Sequence, residues 1–396
     1  MANRKPMARA PTAPPIETQE EILEEMMERF DDVNTLYITK VAEQIKTIGE
    51  LNAASMHRIE VMATMNQNIA AINTRLAEAV QMAKRDLLRL YDRALNDMYH
   101  SPTFERALQE TPLEQIDKER LNNLAQMISR QTAGAMENLS NTTAVSETYR
   151  KTVDKAILTT TSGMGSYKEA MRDSIRELGQ NGMQVEYASG YHRRLDTAIR
   201  QNIIDGSTQI AQHGSDMMGE ALGFDAFELS AHLASAPDHE PVQGRVFLKA
   251  QFERMQAGEG FEDADGNQYA GFRRPIGEWN CKHFAMSFDT QRSIRRYTDA
   301  QLAKWAEDNA TGCEINGKHY TLYEASQLMR RIETQVRREK DTAVAARAAG
   351  DKELQEDCQR KINRLMKRYY EVAKTSGFRA RPDRTTVEGF KAVKVS

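Results

Sequence analysis

The sequence predicts a mainly α-helical protein in which long amphipathic helices flank a small, irregular α+β module and an antiparallel helical hairpin ends the chain. Three observations support this prediction. Apolar residues recur at steps of three and four through the first half of the chain. Between Ser230 and His283 that spacing stops, and glycine, proline and histidine accumulate. Beyond Leu322, two long helical patterns are separated only by Gly350-Asp351.

Two series of apolar residues predict the N-terminal helices, and we expect the first helix to begin after Thr18. The spacing is typical of amphipathic helices, which leaves two interpretations open. The apolar faces pack on neighbouring helices of the same chain, or they form a coiled coil with a partner. The first series is Leu23, Met26, Phe30, Val33, Tyr37, Val41, Ile45 and Ile48, and the second is Met62, Met65, Ile69, Ile72, Leu76 and Val80.

Breaks in the helical pattern divide the chain into five segments. Residues 1–18 carry proline, alanine and basic residues without periodicity, so we expect them to be disordered. An N-terminal helical region follows over 19–151, and a second helical region over 152–223 leads to the core module. The small α+β module with its His/Cys cluster occupies 224–290. Residues 291–396 form the C-terminal helical hairpin and tail, in which Asn316-Gly317 predicts a tight turn beside a short strand.

Composition excludes several classes of protein. The formal net charge of the 396 residues is only −3, so the global charge indicates no particular partner. No apolar run approaches the roughly 20 residues that span a bilayer, and no apolar segment of a signal peptide follows Met1. Cys281, Cys313 and Cys358 are odd in number and widely spaced, which argues against a disulfide framework. We therefore expect a soluble protein of a reducing cytoplasm with no membrane contact.

The C-terminal hairpin has an excess of positive charge. Two helices are predicted, from Leu322 to Ala349 and from Lys352 to Lys374, and the short turn at Gly350 makes them antiparallel. Between Lys318 and Arg384 there are 17 Lys/Arg against 10 Asp/Glu. That excess fits a surface that faces nucleic acid, but the interleaved acidic residues equally fit an ion-paired, solvated face.

Four side chains of the central stretch predict a candidate zinc site: His232, His239, Cys281 and His283. Imidazole and thiolate groups are the ligands of tetrahedral zinc. A structural zinc would join two loops across a 41-residue gap in sequence, and its binding energy would become folding energy for a module with little core. The spacings His-x6-His and Cys-x-His are less specific than a paired Cys-x2-Cys pattern.

Two other interpretations of the same residues stay open. In the first, His232 and His239 hydrogen-bond the backbone of an irregular loop, and Cys281 fills a small buried space. In the second, Asp238, His239 and Cys281 supply an orienter, a base and a nucleophile. The sequence has no nucleophile elbow, phosphate loop or His-Glu-x-x-His helix, so we assign no catalytic residue and expect a protein that is not an enzyme.

The order Ser-Ala-His232, Pro-Asp-His239, Gln243-Gly-x-x-Phe247 and Asn-Cys281-x-His283 resembles the phage minor capsid protein 2 family of tailed bacteriophages. Further motifs on both sides extend the resemblance from about Thr152 to the C-terminus, and the N-terminal helices lie outside it. These motifs are Tyr187-Ala-Ser-Gly190 with the helix through Arg200, Gly317-Lys-His-Tyr320-Thr-Leu-Tyr-Glu-Ala-Ser-Gln327 with Arg330 and Arg331, and Thr375-Ser-Gly-Phe378 with Arg384. A looser similarity links the block to the Mu F-like head morphogenesis proteins.

The chain departs from the family pattern at two places. Ala234-Ser-Ala236 stands where the family usually carries Gly-Ala-Arg, and Val242 stands where a tryptophan often precedes the glutamine. The first departure removes an arginine, so an anion contact at that position is in doubt. The histidines and the cysteine are retained.

The resemblance implies a structural minor capsid protein, made in the host cytoplasm and incorporated into the virion near the portal vertex. The portal and other head proteins are then its partners, and the basic hairpin is expected to lie toward the portal or packaged DNA. Two alternatives belong to other classes: a virion-delivered, metal-dependent enzyme such as a nuclease or toxin-like transferase, and a metal-stabilised nucleic-acid-binding module.

Overall fold

The computed structural model describes residues 16–50, 58–99, 116–143, 145–162, 167–187, 189–263, 266–278, 281 and 283–395. Within these ranges the protein is mainly α-helical with small antiparallel sheets, which confirms the predicted fold class. Residues 1–15 of the predicted disordered segment lie outside the description, and the first helix begins at Ile16 instead of after Thr18. The helices are α1 (Ile16–Glu50), α2 (Arg58–Tyr99), α3 (Ile116–Thr142), α4 (Val145–Ser162), α5 (Tyr167–Asn181), α6 (Leu195–Ala221), α7 (Lys249–Gln256), α8 (Asp299–Thr311), α9 (Leu322–Ala349) and α10 (Lys352–Ser376).

All strands are short and pair with antiparallel neighbours. Three of them form a sheet in the order β4-β3-β7, and the others form two-stranded ribbons. The strands are β1 (Gln184–Glu186), β2 (His192–Arg194), β3 (Ala226–Leu229), β4 (Val246–Leu248), β5 (Phe261–Glu262), β6 (Gln268–Tyr269), β7 (Ala285–Phe288), β8 (Cys313–Ile315) and β9 (Lys318–Tyr320), and a 3-10 turn, Pro382–Thr385, follows α10.

The chain divides into two compact units, each built from several stretches of sequence. We call the one that contains the three-stranded sheet the sheet unit; it comprises Met1–Leu23, Lys84–Ala135 and Arg200–Glu324. The hairpin unit comprises Glu24–Ala83, Met136–Ile199 and Ala325–Ser396. The five-segment division of the sequence describes stretches of chain and stays a prediction.

The apolar series of the N-terminal helices are buried within the chain. Val33, Tyr37 and Ile72 are completely inaccessible to solvent. Every residue of the first series is buried, and in the second only Met62 is exposed, with Val61 buried in its place. These faces therefore pack as ordinary amphipathic helices, and the described parts of α1 and α2 leave no continuous apolar stripe for a coiled-coil partner.

Tyr149 joins three helices inside the hairpin unit. Its hydroxyl donates to Gln44 Oε1 on α1 at 2.6 Å and accepts from Asn68 Nδ2 on α2 at 2.8 Å. Its ring meets Tyr37 edge to face at a centroid distance of 6.4 Å. A buried tyrosine with a satisfied hydroxyl fixes the relative positions of its neighbours, because both the ring and the polar end need partners.

The C-terminal helices form the predicted antiparallel hairpin. Tyr369 Oη donates to Glu333 Oε1 at 2.7 Å, and Lys361 Nζ lies 3.3 Å from Glu339 Oε1. A later residue of α9 therefore contacts an earlier residue of α10, which is the order that antiparallel helices require. Between the helices, Gly350 adopts φ +77°, a left-handed conformation that favours glycine and closes the turn.

The tight turn that Asn316-Gly317 predicts is present, between strands β8 and β9. β8 and β9 pair with Ile315 opposite Lys318, so Asn316 and Gly317 form a two-residue hairpin loop. Their φ angles of 52° and 72° are both positive, which is the conformation that favours Asn-Gly in such turns.

One glycine lies inside a helix near its end. α5 passes through Gly179 and continues to Asn181, and the chain turns at Gly182, with φ +57°. A Cβ added at Gly179 would lie 2.4 Å from Thr342 Cα on α9. The glycine therefore permits a close helix contact inside the hairpin unit, and it does not act as a stop signal.

The three-stranded sheet is covered on both faces. Every residue of β3 and β7 is buried. On one side α6 lies close to β7: Ser287 N donates to Ser215 Oγ at 2.8 Å, and Ala285 N donates to Gln212 Oε1 at 2.9 Å. A hydrophobic cluster supports the rest of the module, and it includes Phe227, Leu229, Phe247, Phe252, Met255, Phe261, Phe272 and Cys281. No described helix is long and apolar enough to cross a membrane.

Candidate functional site

The sheet brings the two halves of the His/Cys cluster together. β3 pairs with β7, so the loop that leaves β3 begins beside the segment that enters β7. Ser230 and Phe284 continue the pairing beyond the strands, since Ser230 N donates to Phe284 O at 2.9 Å and Ser230 Oγ accepts from Phe284 N at 3.0 Å. Residues 42 apart in sequence thereby come into side-chain contact at the end of the sheet.

Three of the four predicted ligands form a compact cluster. Cys281 Sγ lies 3.3 Å from His239 Nδ1 and 3.6 Å from His283 Nδ1. The three candidate ligand atoms all lie within 4.8 Å of one another. The residues are almost inaccessible, with exposures of 1% for His239, 4% for Cys281 and 2% for His283. The cluster is therefore a part of the module's core.

His232 lies beside the cluster but is not a member of it. Its ring stacks on His283 with a centroid distance of 4.5 Å, while its Nδ1 lies 3.0 Å from Leu233 O. In the part of the chain that the structure describes, the group of side chains placed to hold one metal ion consists of His239, Cys281 and His283. His232 thus lies near the site, but it does not belong to the group whose ligand atoms converge.

The outer nitrogens of both clustered histidines have acceptors. His239 Nε2 lies 2.8 Å from Arg274 O, which can only accept, so this nitrogen carries the hydrogen. His283 Nε2 lies 3.2 Å from Gln243 Oε1, which can only accept, and 3.3 Å from the Ser235 hydroxyl, which can accept as well. The Gln243 oxygen also accepts from His232 N at 3.0 Å. Both rings therefore hold their hydrogen at Nε2 and turn Nδ1 toward the sulfur of Cys281.

Sequence reasoning missed Gln243 and Arg274. Gly244 adopts φ +68° just before β4, so Gln243 and Gly244 turn the chain into that strand. The buried side chain of Gln243 also orients His283, a role that no local spacing indicates because the two residues are 40 apart in sequence. The signal that was available is the Gln-Gly-x-x-Phe motif itself, which the family resemblance contains.

The geometry disfavours the nucleophile interpretation. Burial raises the pKa of the Cys281 thiol, although backbone N–H groups of Gly277 and His283 oppose the rise. Burial also lowers the pKa of His239, whose Nε2 lies 3.7 Å from Asp238 Oδ2. A nucleophilic cysteine needs a lowered pKa and access for its substrate. Cys281 has neither property in this environment.

A second candidate surface lies on the C-terminal half of α10. We call it the basic face: the exposed cations Arg364, Lys367, Arg368 and Lys374 on the helix, with Arg379 just beyond it. Steps of three and four place the helical members on one side, opposite the buried Ile362, Tyr369 and Val372. Tyr370, 48% exposed, lies beside them.

The ion pairing of α10 changes along its length. In its N-terminal half, Arg360 pairs with Asp357 at 2.6 Å, Lys361 pairs with Glu339 at 3.3 Å, and Glu353 pairs with Arg172 of α5. Among the described residues, no ion pair involves a member of the basic face. The N-terminal half of α10 is thus the ion-paired, solvated face that the sequence allowed. The C-terminal half instead fits the alternative of a positively charged surface that faces nucleic acid.

A family model described as phage minor capsid protein 2 matches residues 17–369. The match includes the N-terminal helices, so the expectation that the similarity begins near Thr152 was wrong; it ends at Tyr369, before the closing motifs at Thr375 and Arg384. No curated protein and no solved structure matches the chain. The matched region covers nearly the whole chain and contains both the His/Cys cluster and most of α10, and the protein belongs to the phage minor capsid protein 2 family.

Proposed function

We propose that this minor capsid protein is a structural component of the phage head near the portal vertex, and that it contacts packaged DNA through the basic face of α10. Family membership implies a virion location and other phage head proteins as partners, and a structural capsid family suggests a protein that is not an enzyme. The position near the portal, the DNA contact and assembly in the host cytoplasm are the parts that we add.

The observation that carries the DNA contact is the uncompensated charge of the basic face. Five exposed cations, Arg364, Lys367, Arg368, Lys374 and Arg379, accompany one exposed acid, Glu371. Surface cations that are already ion-paired gain little from a phosphate, whereas unpaired ones release condensed counterions from DNA when they bind. The exposed ring of Tyr370 adds a surface on which a base or sugar can pack.

A pair of charge-matched variants tests the contact in the full-length protein. The test variant replaces Lys367, Arg368 and Lys374 by glutamine. The control replaces three ion-paired cations of the same unit, namely Arg360 and Lys361 on the same helix and Lys155 of α4, which pairs with Glu177. Binding to a duplex is measured by fluorescence anisotropy over a range of salt concentrations. We expect the wild-type affinity to fall steeply with salt, and the test variant to reduce the slope of log K against log salt by up to about 3.

The control should bind as the wild type does, because its cations are engaged within the protein. Equal losses in the two variants would mean that only net charge matters and would contradict a specific basic face. Wild-type binding that does not depend on salt would contradict the DNA contact altogether.

Placement near the portal needs a separate experiment. The full chain is co-expressed with the portal protein and, in parallel, with the major capsid protein of the same phage, and complexes are separated by size-exclusion chromatography. Co-elution with the portal protein supports the placement. Co-elution with the major capsid protein alone would place the protein elsewhere in the head.

The enzyme alternative has a readout in the same DNA reactions. If the protein were a metal-dependent nuclease, the duplex would shorten in the presence of zinc or magnesium, and His239→Ala would abolish the shortening. Intact DNA at the end of the titration supports the structural function.

A further inference from the structure

We propose that His239, Cys281 and His283 form a zinc site in which the cysteine contributes its sulfur and both histidines contribute Nδ1. The site goes beyond the DNA contact and does not depend on it, since the basic face belongs to the hairpin unit and all three ligands belong to the sheet unit.

The number of hydrogen atoms between the three side chains favours a bound cation. Both imidazoles hold their hydrogen at Nε2, because Arg274 O accepts from His239 there, and Gln243 Oε1 and the Ser235 hydroxyl lie beside His283 Nε2 as acceptors. Each Nδ1 therefore presents a lone pair toward Cys281 Sγ, and a thiol has a single hydrogen. One S–H cannot lie between the sulfur and both nitrogens. A zinc ion at the point where the three atoms converge satisfies the thiolate and both lone pairs together.

The separations match those of zinc ligands. Bonds of about 2.3 Å to sulfur and about 2.0–2.1 Å to imidazole nitrogen put the sulfur and nitrogen atoms of a tetrahedral site about 3.5 Å apart. The observed separations from Cys281 Sγ are 3.3 Å to His239 Nδ1 and 3.6 Å to His283 Nδ1. The three ligand atoms lie within 4.8 Å of one another, whereas the two nitrogens of a tetrahedral site are about 3.4 Å apart, so the imidazole rings would close toward each other around the ion.

The surroundings are those of a metal site as well. A histidine that binds a metal commonly donates its other ring N–H to a carbonyl or an amide oxygen, which fixes the tautomer and the ring orientation. Arg274 O and Gln243 Oε1 are such acceptors. In addition, His283 N points toward Cys281 Sγ at 3.4 Å, a contact that favours the thiolate over the thiol.

The site would stabilise a module with little regular structure. Its sheet has strands of three or four residues, and the loop between β3 and β4 has no strand or helix of its own. The ion joins His239 of that loop to Cys281 and His283 at the entrance to β7, so metal binding and folding of the module are coupled. His232 is not a ligand in this assignment.

The experiment measures metal in the full-length protein and then replaces it by cobalt. Elemental analysis of protein purified from zinc-supplemented medium should find close to one zinc per chain. Cobalt(II) in place of zinc should produce the thiolate-to-metal charge-transfer absorption that reports sulfur ligation. Cys281→Ser should abolish that absorption, and His239→Ala and His283→Ala should lose bound metal.

Two variants serve as controls. Cys313→Ser removes a thiol outside the cluster and should keep both the zinc and the cobalt absorption. His232→Ala should also keep the metal; its loss would overturn the three-ligand assignment in favour of a fourth protein ligand. Circular dichroism shows whether a metal-free variant is still folded. Wild-type protein without zinc that also gives no thiolate absorption with cobalt would overturn the site, whatever the DNA experiment shows.

Discussion

At the residue scale, one buried amide side chain orients the ring of His283. Gln243 Oε1 accepts from His232 N and lies 3.2 Å from His283 Nε2, so it ties the loop backbone to a proposed ligand. Gln243→Ala leaves all three ligands in place but removes the amide oxygen that accepts at His283 Nε2. We expect zinc affinity to fall by roughly 10–100-fold, as other losses of such outer contacts do. Competition with a chromophoric chelator measures the affinity.

An unchanged affinity in Gln243→Ala would mean that the Ser235 hydroxyl, 3.3 Å from His283 Nε2, is sufficient to orient His283. Gln251→Ala is a suitable control, because that side chain caps the start of α7 by accepting from Leu248 N and does not contact the cluster.

A carboxyl group of the hairpin unit should make stability depend on pH. Burial raises the pKa of Asp31 to about 7, with Asp196 adding to the rise and Arg337 opposing it. The folded state thus holds a proton that the unfolded chain releases near pH 4. Stability should therefore decrease as pH rises from about 4 through about 7. The effect is about 4 kcal/mol at most, and less here because the side chain is partly exposed.

Asp31→Asn removes this dependence. We expect the variant to be more stable than the wild type at pH 8 and nearly equal to it at pH 5, in urea unfolding followed by circular dichroism. Asp32→Asn, at an exposed carboxylate paired with Arg75, is the matched control. Parallel stability curves for Asp31→Asn and the wild type across this range would refute the prediction.

The sequence could predict which residue types form the site, but not which of them converge in space. The residue types at His239, Cys281 and His283 predicted a candidate zinc site as one of three interpretations, because imidazole and thiolate groups are zinc ligands. Which of four candidates converge depends on backbone direction at the end of the sheet, and no spacing encodes that direction. His232 was selected for its residue type, and the fold stacks it beside the cluster instead.

At the element scale, two glycines in helices have opposite surroundings. A Cβ at Gly179 of α5 would meet the backbone of Thr342 at 2.4 Å, whereas one at Gly134 of α3 would meet nothing within 4 Å. Gly179→Ala should therefore destabilise the protein by about 1–3 kcal/mol, because backbone cannot move aside easily. Gly134→Ala should stabilise it by up to about 1 kcal/mol through helix propensity.

Denaturant unfolding of the two alanine variants measures both effects, and each variant is the control for the other. A stabilising Gly179→Ala would mean that α5 and α9 do not pack as closely as described.

Elements with strong local signals were predicted well, and those fixed by distant contacts were not. The bounds of α9 agree with the prediction, and α10 ends at Ser376, two residues beyond the predicted Lys374. The ends of α10 have clear local signals, since Asp351 caps its first turn and Gly377 adopts the left-handed conformation after its last. The ribbons β1–β2 and β5–β6 have strands of only two or three residues, too short for an alternation to be recognised. The reason for a glycine at position 179 inside a helix is its close contact with the backbone of Thr342, 163 residues away in sequence.

At the scale of the whole molecule, the proposed zinc should act on one unit only. All three ligands lie in the sheet unit. We expect chelation to increase hydrogen exchange in β3, β4 and β7 while α10, in the hairpin unit, keeps its protection. Exchange mass spectrometry with and without chelator measures this. Equal increases in β3 and α10 would show that the metal supports the entire chain.

The path of the C-terminal tail determines where a probe can be attached. After α10 the chain turns back along the hairpin: Arg381 N donates to Tyr369 Oη, Thr385 O accepts from Lys340, and Val393 N donates to Gln359 Oε1. Gln359 lies about 22 Å along the helix from Lys374 and about 8 Å from Arg364. A fluorophore attached at Val393 would therefore lie nearer the Gly350 turn than most of the basic face, and labelled protein could report DNA binding with Lys367, Arg368 and Lys374 unobstructed.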